Sequence, residues 1–76
     1  MAVKAYVLIE ARIGKTKEVV EAIRRFRGVT SVDAVTGPYD AIATVQVETL
    51  KEIGDLIVAM VQPAAGISRT VTCIAV

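Results

Sequence analysis

Histidine, tryptophan and asparagine are missing from this chain of 76 residues, and cysteine occurs once, at Cys73. A single cysteine excludes an internal disulfide, and without histidine the usual zinc sites of Cys and His ligands cannot form. General acid–base catalysis most often uses histidine, so its absence counts against an enzyme. We therefore expect neither a metal nor another cofactor.

The chain also has little net charge and no long apolar run. Nine basic and eight acidic residues give a net charge of +1, without the basic stripe that nucleic-acid binding requires. No apolar run approaches the ~20 residues that span a bilayer, and the N-terminal stretch is too short and too regular for a signal peptide. We expect a cytoplasmic protein that binds neither nucleic acid nor membrane.

The length allows one domain, residues 1–76. A domain of this size buries only ~60% of the surface that its unfolded chain exposes, and is marginally stable alone. Disulfides, metals and partner subunits are the usual remedies, and the first two are excluded. We therefore expect a homo-oligomer.

Hydrophobic periodicity predicts six elements in the order strand, helix, strand, strand, helix, strand. They cover residues 2–11, 16–27, 29–36, 40–48, 50–61 and 67–76. We expect Thr16 to cap the first helix, a two-residue loop of Gly37 and Pro38 to join the middle strands, and Pro63 to end the second helix. This order is typical of an α+β, ferredoxin-like βαββαβ plait, with a four-stranded antiparallel sheet and both helices on one face.

The two faces of the predicted sheet differ in composition. The face rich in Val and Ala suits contact with the helices, and alternation places Val71, Cys73 and Ala75 of the last strand on that side. The opposite face is too apolar to remain in water, so a second copy of the sheet is its simplest cover. The predicted dimer interface is built on Tyr6, Leu8, Ile42 and Ile74.

Two short motifs resemble a known family. Gly37-Pro38-Tyr39-Asp40 resembles the G-x-Y-D motif of the RAM domain, the ligand-binding half of the Lrp/AsnC transcription regulators. The stretch from Gly66 to Thr72 is similar to that family's G-V-x-x-T-x-T sequence. The resemblance covers the whole chain. Because the first predicted strand begins at residue 2, we expect the family's N-terminal DNA-binding domain to be absent.

The resemblance implies a non-enzymatic, amino-acid-binding module. In the family, RAM sheets pack face to face into dimers, and dimers assemble into rings, commonly octamers and sometimes decamers. A small amino acid binds between dimers near the G-x-Y-D hairpin. Full-length Lrp/AsnC regulators are further candidate partners, through which the module would modulate transcription.

The candidate ligand-binding residues lie in two groups. Gly37, Tyr39 and Asp40 form the hairpin tip, where backbone N–H groups could hold a carboxylate and Asp40 could accept from an ammonium group; the same residues also suit a plain turn. Ser68, Thr70 and Thr72 alternate along the last strand, so their hydroxyls are predicted to share one face and line a pocket. They also suit a run of β-favouring residues at a hydrated dimer face.

Two other functions remain open from the residues alone. Small ferredoxin-like dimers include monooxygenases and isomerases, although the predicted helix-facing side here has few polar groups for such a site. An ACT-like amino-acid-sensing module has the same element order, and would place its ligand near Gly14 rather than near Tyr39.

Overall fold

The computed structural model describes residues 2–61 and 66–76 of the chain. Its elements follow the predicted order: β1 (Val3–Ala11), α1 (Thr16–Arg24), β2 (Val29–Ala34), β3 (Ala41–Val47), α2 (Leu50–Val61) and β4 (Ile67–Ile74). The strands form one sheet in the order β2-β3-β1-β4, and all neighbours are antiparallel. The predicted ferredoxin-like plait is therefore confirmed. The predicted helix end at Pro63 lies outside the described residues.

The core lies between one face of the central strands and the two helices. Directly paired residues of β1 and β3 are both fully buried there, namely Ala5 with Val45, Val7 with Ala43, and Ile9 with Ala41. The helices add buried side chains from their apolar stripes, namely Val19, Val20 and Ile23 of α1 and Ile53 and Met60 of α2. Each fully buried Val or Ile side chain stabilises the fold by about 1.5–3 kcal/mol. Within the described part of the chain, neither helix has the length and apolarity needed to cross a membrane.

The helix termini differ in how they are capped. Lys15 is the N-cap of α1, and no side chain caps that end, so the predicted Thr16 cap is wrong. The helix ends at Arg24 rather than at residue 27, because Phe26 N–H donates to Ile23 O and the chain tightens into three-residue turns. At α2, in contrast, Glu52 N–H donates to Thr49 Oγ1 over 3.2 Å, as the sequence predicts.

The hairpin between β2 and β3 has a longer loop than predicted. The last register pair is Ala34 with Ala41, and Val35 N–H donates to Asp40 O over 2.9 Å. Residues 35–40 therefore form the loop, in place of the predicted two-residue turn. Gly37 lies in the middle of it with φ +129°, a conformation that side chains rarely adopt.

The orientation of β4 corrects the predicted faces. Ile67 is buried opposite Ala11, as alternation predicts, but the next register pair is Arg69 with Glu10. Ser68 is therefore an extra residue, a β-bulge, and it reverses the alternation for the rest of the strand. Beyond the bulge, the residues that share the helix-facing side with buried residues of β1 are Thr70, Thr72 and Ile74.

The face of the sheet that the helices leave open therefore consists of other residues than those predicted. Leu8 is paired with Ile42 on one side and with Val71 on the other, and Tyr6 lies between Thr44 and Cys73. The predicted interface residue Ile74 is on the helix-facing side, so its placement with Tyr6, Leu8 and Ile42 is wrong. Cys73, predicted to lie on the helix-facing side, is exposed on the open face. We call Tyr6, Leu8, Ile42 and Val71 the open-face patch.

Candidate functional site

The hairpin loop and the β4 bulge meet at one end of the sheet. The loop, residues 35–40, follows β2, and the bulge at Ser68 lies opposite Glu10 near the end of β1. β1 lies between β3 and β4, so its last residues contact both features. The last residues of β1 thus bring together the hairpin motif from the middle of the chain and the β4 motif from its end.

Asp40 fastens the loop to β1 through both its backbone and its carboxylate. Its N–H donates to Ile9 O over 2.9 Å, and its Oδ2 accepts from Ala11 N–H over 2.8 Å in a partly buried position. The carboxylate thereby continues the hydrogen bonding of β3 with β1 beyond the last backbone pair. A hydrogen bond to a charged group contributes about 1.5–3 kcal/mol, so Asp40 has a structural role in addition to any contact with a ligand.

Tyr39 and Arg69 form a second contact between the loop and β4. Arg69 Nη2 donates to Tyr39 Oη over 3.3 Å, and the guanidinium carbon lies 5.8 Å from the centroid of the tyrosine ring. This distance is within the range of a cation–π interaction. The contact holds the planar guanidinium of Arg69 beside the loop, while the side chain remains exposed.

Glu10 and Ser68 form the third contact, at the bulge itself. The Ser68 hydroxyl lies 3.0 Å from Glu10 O and 3.0 Å from Glu10 Oε1, and can donate its proton to either. Glu10 is the register partner of Arg69, so a carboxylate and a guanidinium lie on neighbouring strands. We call Glu10, Tyr39, Asp40, Ser68 and Arg69 the hairpin–bulge site.

The structure brings together only part of the residues that the sequence singled out. Ser68 contacts Glu10 at the bulge, whereas Thr70 and Thr72 face the helix side of the sheet, so the prediction that the three hydroxyls share a face is wrong. Sequence reasoning missed Glu10 and Arg69 as site residues. Their signal was available, since opposite charges occupy the ends of two strands that are neighbours in a ferredoxin-like sheet.

The site offers partners for both charges of a zwitterion. Among the described residues, the backbone N–H groups of Thr36, Gly37 and Tyr39 make no hydrogen bond, and they surround the loop glycine. These N–H groups and the Arg69 guanidinium suit an anion. Glu10 and the second oxygen of Asp40 suit a cation. The arrangement can therefore bind a small molecule that carries one group of each sign.

Comparisons with known proteins agree with the fold and the motifs. The model of the Lrp/AsnC ligand binding domain matches residues 4–76. The crystal structure of TTHA0845 from Thermus thermophilus is 34% identical, with a TM-score of 0.91 over 97% of this chain and 92% of that one. The crystal structure of hypothetical protein PHS023 from Pyrococcus horikoshii is 32% identical, with a TM-score of 0.89 over 97% of this chain and 89% of that one.

A more distant structure is that of the transcriptional regulator NMB0573 in complex with L-Met, from Neisseria meningitidis. It is 14% identical, and the match covers 97% of this chain but only 49% of the regulator. The TM-score of 0.84 shows that the two share a fold. A comparison with the curated proteins found no match. The family model covers nearly the whole sequence, and two structures above 30% identity cover it equally well. The chain belongs to the Lrp/AsnC ligand-binding domain family.

Proposed function

We propose that this chain is a non-enzymatic sensor that binds a free α-amino acid at the hairpin–bulge site. The observation that carries the proposal is the meeting of Glu10, Asp40 and Arg69 with unpaired loop N–H groups at one end of the sheet. An α-amino acid carries an ammonium and a carboxylate on the same carbon atom. Both need charged or polar partners, and the site offers both.

The carboxylate of the ligand would accept hydrogen bonds from the N–H groups around Gly37 and from Arg69, and its ammonium would donate to Glu10 or Asp40. Charge-assisted hydrogen bonds contribute roughly 1.5–3 kcal/mol each, so two or three of them suffice for binding at micromolar to millimolar concentration. The ring of Tyr39 would contact the ligand side chain. Thr70 and Thr72 are not part of the proposed site, because they face the helices.

The comparisons support the binding of a regulatory ligand rather than an enzymatic function. The family is defined by the ligand-binding domain of transcription regulators, and the related Neisseria regulator has been crystallised with L-Met. The match also favours this family over an ACT-like module with its ligand near Gly14. Full-length Lrp/AsnC regulators are the proposed partners through which amino-acid binding would affect transcription.

The open-face patch supports a dimer as the unit of this function. Tyr6 is 37% exposed and Val71 36%, and Leu8 and Ile42 between them are half-buried, so four apolar side chains adjoin one another on three strands. Two copies packed open face to open face would cover them. The hairpin–bulge site lies at the end of this face, where dimers would meet in a larger ring and share the ligand.

The test uses Arg69, because Asp40 also carries a structural hydrogen bond. Calorimetric titration with the twenty amino acids identifies the best ligand, and Arg69→Gln should weaken its binding by about tenfold to a hundredfold, the equivalent of one charge-assisted bond. Arg25→Gln, an exposed arginine just after α1, is the matched control and should bind as the original chain does. Sedimentation with the ligand should show a larger assembly.

Binding of no amino acid at millimolar concentration would reject the proposed function. Equal affinity of the Arg69→Gln and Arg25→Gln variants would reject the proposed site while leaving an amino-acid ligand in place. The two failures are distinguishable because the first is seen with the unaltered chain.

A further inference from the structure

Positive charge is concentrated in one short stretch of the chain. Residues 12–27 contain six of the nine basic residues and only two of the eight acidic ones, which gives this stretch a charge of +4. The rest of the chain has three basic and six acidic residues, a charge of −3. The net charge of +1 therefore combines two regions of opposite sign. The basic region comprises the loop after β1, helix α1 and the turn that leads to β2.

Helix α1 carries much of this charge on the side that points away from the sheet. Its buried side chains form one stripe against the core. At 3.6 residues per turn, Lys17 and Arg25 fall on the opposite half of the helix, and both are exposed. Arg24 lies on the flank next to β2, where its Nη2 donates to Val32 O over 3.0 Å. Arg27, also exposed, follows in the turn after the helix. We call Lys17, Arg24, Arg25 and Arg27 the α1 basic patch.

The charges of the α1 basic patch are not neutralised within the fold. Among the described residues, the ion pair of this stretch joins Lys15 to Glu18 over 3.6 Å, and neither residue belongs to the patch. Cations near the end of a helix interact favourably with its dipole, but that dipole amounts to only about half an elementary charge. Three arginines lie within four residues at this end of α1. The helix dipole therefore accounts for only part of the positive charge.

The α1 basic patch is separate from the proposed dimer interface and from the hairpin–bulge site. The helices and the open-face patch lie on opposite sides of the sheet, so a second copy on the open face does not cover α1. α1 begins near the end of β1, where the hairpin–bulge site is, and its last turn leads to the start of β2. By register, that start is level with the beginning of β1, at the other end of the sheet. The arginines of the patch therefore remain accessible.

We propose that the α1 basic patch docks an acidic segment of a partner protein, a stretch of chain rich in Asp and Glu. Three of the four patch residues are arginine, whose planar guanidinium can donate two parallel hydrogen bonds to one carboxylate. For this reason arginine recognises carboxylates more specifically than lysine does. The surface is independent of the proposed ligand site, so the inference does not rest on the binding of an amino acid.

The spacing of the patch residues suits such a segment. An α-helix rises about 1.5 Å per residue, so Lys17 and Arg24 are roughly 10 Å apart along the axis of α1. This distance corresponds to three residues of an extended chain, at about 3.3 Å each. Arg27 lies beyond the end of the helix and continues the row. An extended segment with carboxylates about three residues apart can therefore contact several residues of the patch at once.

The surroundings of the patch favour a protein segment over nucleic acid. Glu18 and Glu21 are exposed on the outer half of α1, where they repel a continuous row of phosphates, whereas a peptide can place its carboxylates beside the basic residues alone. Proteins that bind single strands add exposed aromatic rings for stacking, but Phe26, next to the patch, packs against the core. The charge of −3 on the rest of the chain also repels a long duplex.

Two triple variants of equal net charge test the position of the surface. The patch variant carries Lys17→Gln, Arg25→Gln and Arg27→Gln, and keeps Arg24 because of its bond to Val32 O. The control variant carries the same change at the three basic residues outside the basic stretch, namely Lys4, Lys51 and Arg69, so that both variants have a net charge of −2. The probe is a fluorescein-labelled glutamate decapeptide, followed by fluorescence anisotropy. The patch variant should bind it about tenfold more weakly than the control variant does.

Equal binding of the decapeptide by the two triple variants would overturn the proposal, because net charge alone would then explain the affinity. Tighter binding of a DNA duplex than of the decapeptide by the unaltered chain would also overturn it and assign the surface to nucleic acid. So would the absence of decapeptide binding at low salt, where screening is weakest. If a triple variant fails to fold, the single variants Arg25→Gln and Lys51→Gln repeat the comparison, with an expected difference of about twofold to threefold.

Discussion

Replacement of Asp40 should destabilise the fold, because its carboxylate forms the bond that fastens the hairpin loop to β1. Oδ2 accepts from Ala11 N–H over 2.8 Å in a partly buried position. Asp40→Ala leaves that N–H without its partner, which costs about 1.5–3 kcal/mol of the free energy of unfolding. For a domain of this size each kcal/mol corresponds to about 4–8 °C, so the Tm should fall by roughly 6–24 °C.

Asp40→Asn is the informative companion. The amide oxygen can still accept from Ala11 N–H, but without the charge, so the loss should be about 1 kcal/mol. Asp33→Ala removes an exposed carboxylate on β2 and serves as the control, with an expected change within about 0.5 kcal/mol. Denaturant unfolding gives these differences if protein concentration is held fixed, since association also contributes to stability. An Asp40→Ala variant as stable as the Asp33→Ala control would refute the structural role.

Other substitutions test packing and assembly. Gly54→Ala should raise the free energy of unfolding by about 0.5–1 kcal/mol, because a Cβ at this position within α2 meets nothing within 4 Å. Gly66→Ala should lower it, since its Cβ would lie 2.9 Å from atoms of Lys15 and of α1, and thermal unfolding of the two variants gives the contrast. Leu8→Glu should abolish the proposed open-face dimer in light scattering, because the interface would bury an unpaired carboxylate. Ile13→Glu is the control and should have no such effect, since Ile13 is fully exposed. A dimeric Leu8→Glu variant would place the interface elsewhere. The purified chain should show no DNA binding at physiological salt in a gel shift, because a net charge of +1 releases few counterions.

Periodicity in the sequence was sufficient for the element order and for the two central strands. β1 and β3 alternate regularly because one face of each is completely buried, and a shift by one residue would expose Val7 or Ala43. α2 begins at the predicted residue, Leu50, because Thr49 caps its start through the N–H of Glu52. The short motifs around Tyr39 and Gly66 were sufficient for the family, which the match over residues 4–76 confirms.

The tertiary structure decided what depends on pairing between distant segments. β4 is an edge strand that carries Thr and Ile on one face and Val and Cys on the other, so its hydrophobic pattern does not specify an orientation. The bulge at Ser68 reversed the faces after Ile67, and it exists only because Glu10 and Ala11 of β1 pair on either side of it. The same pairing brought Arg69 to the hairpin loop and took Thr72 away from it. A strand that is buried on one face carries its orientation in its own residues, whereas an edge strand receives it from the neighbour with which it forms hydrogen bonds.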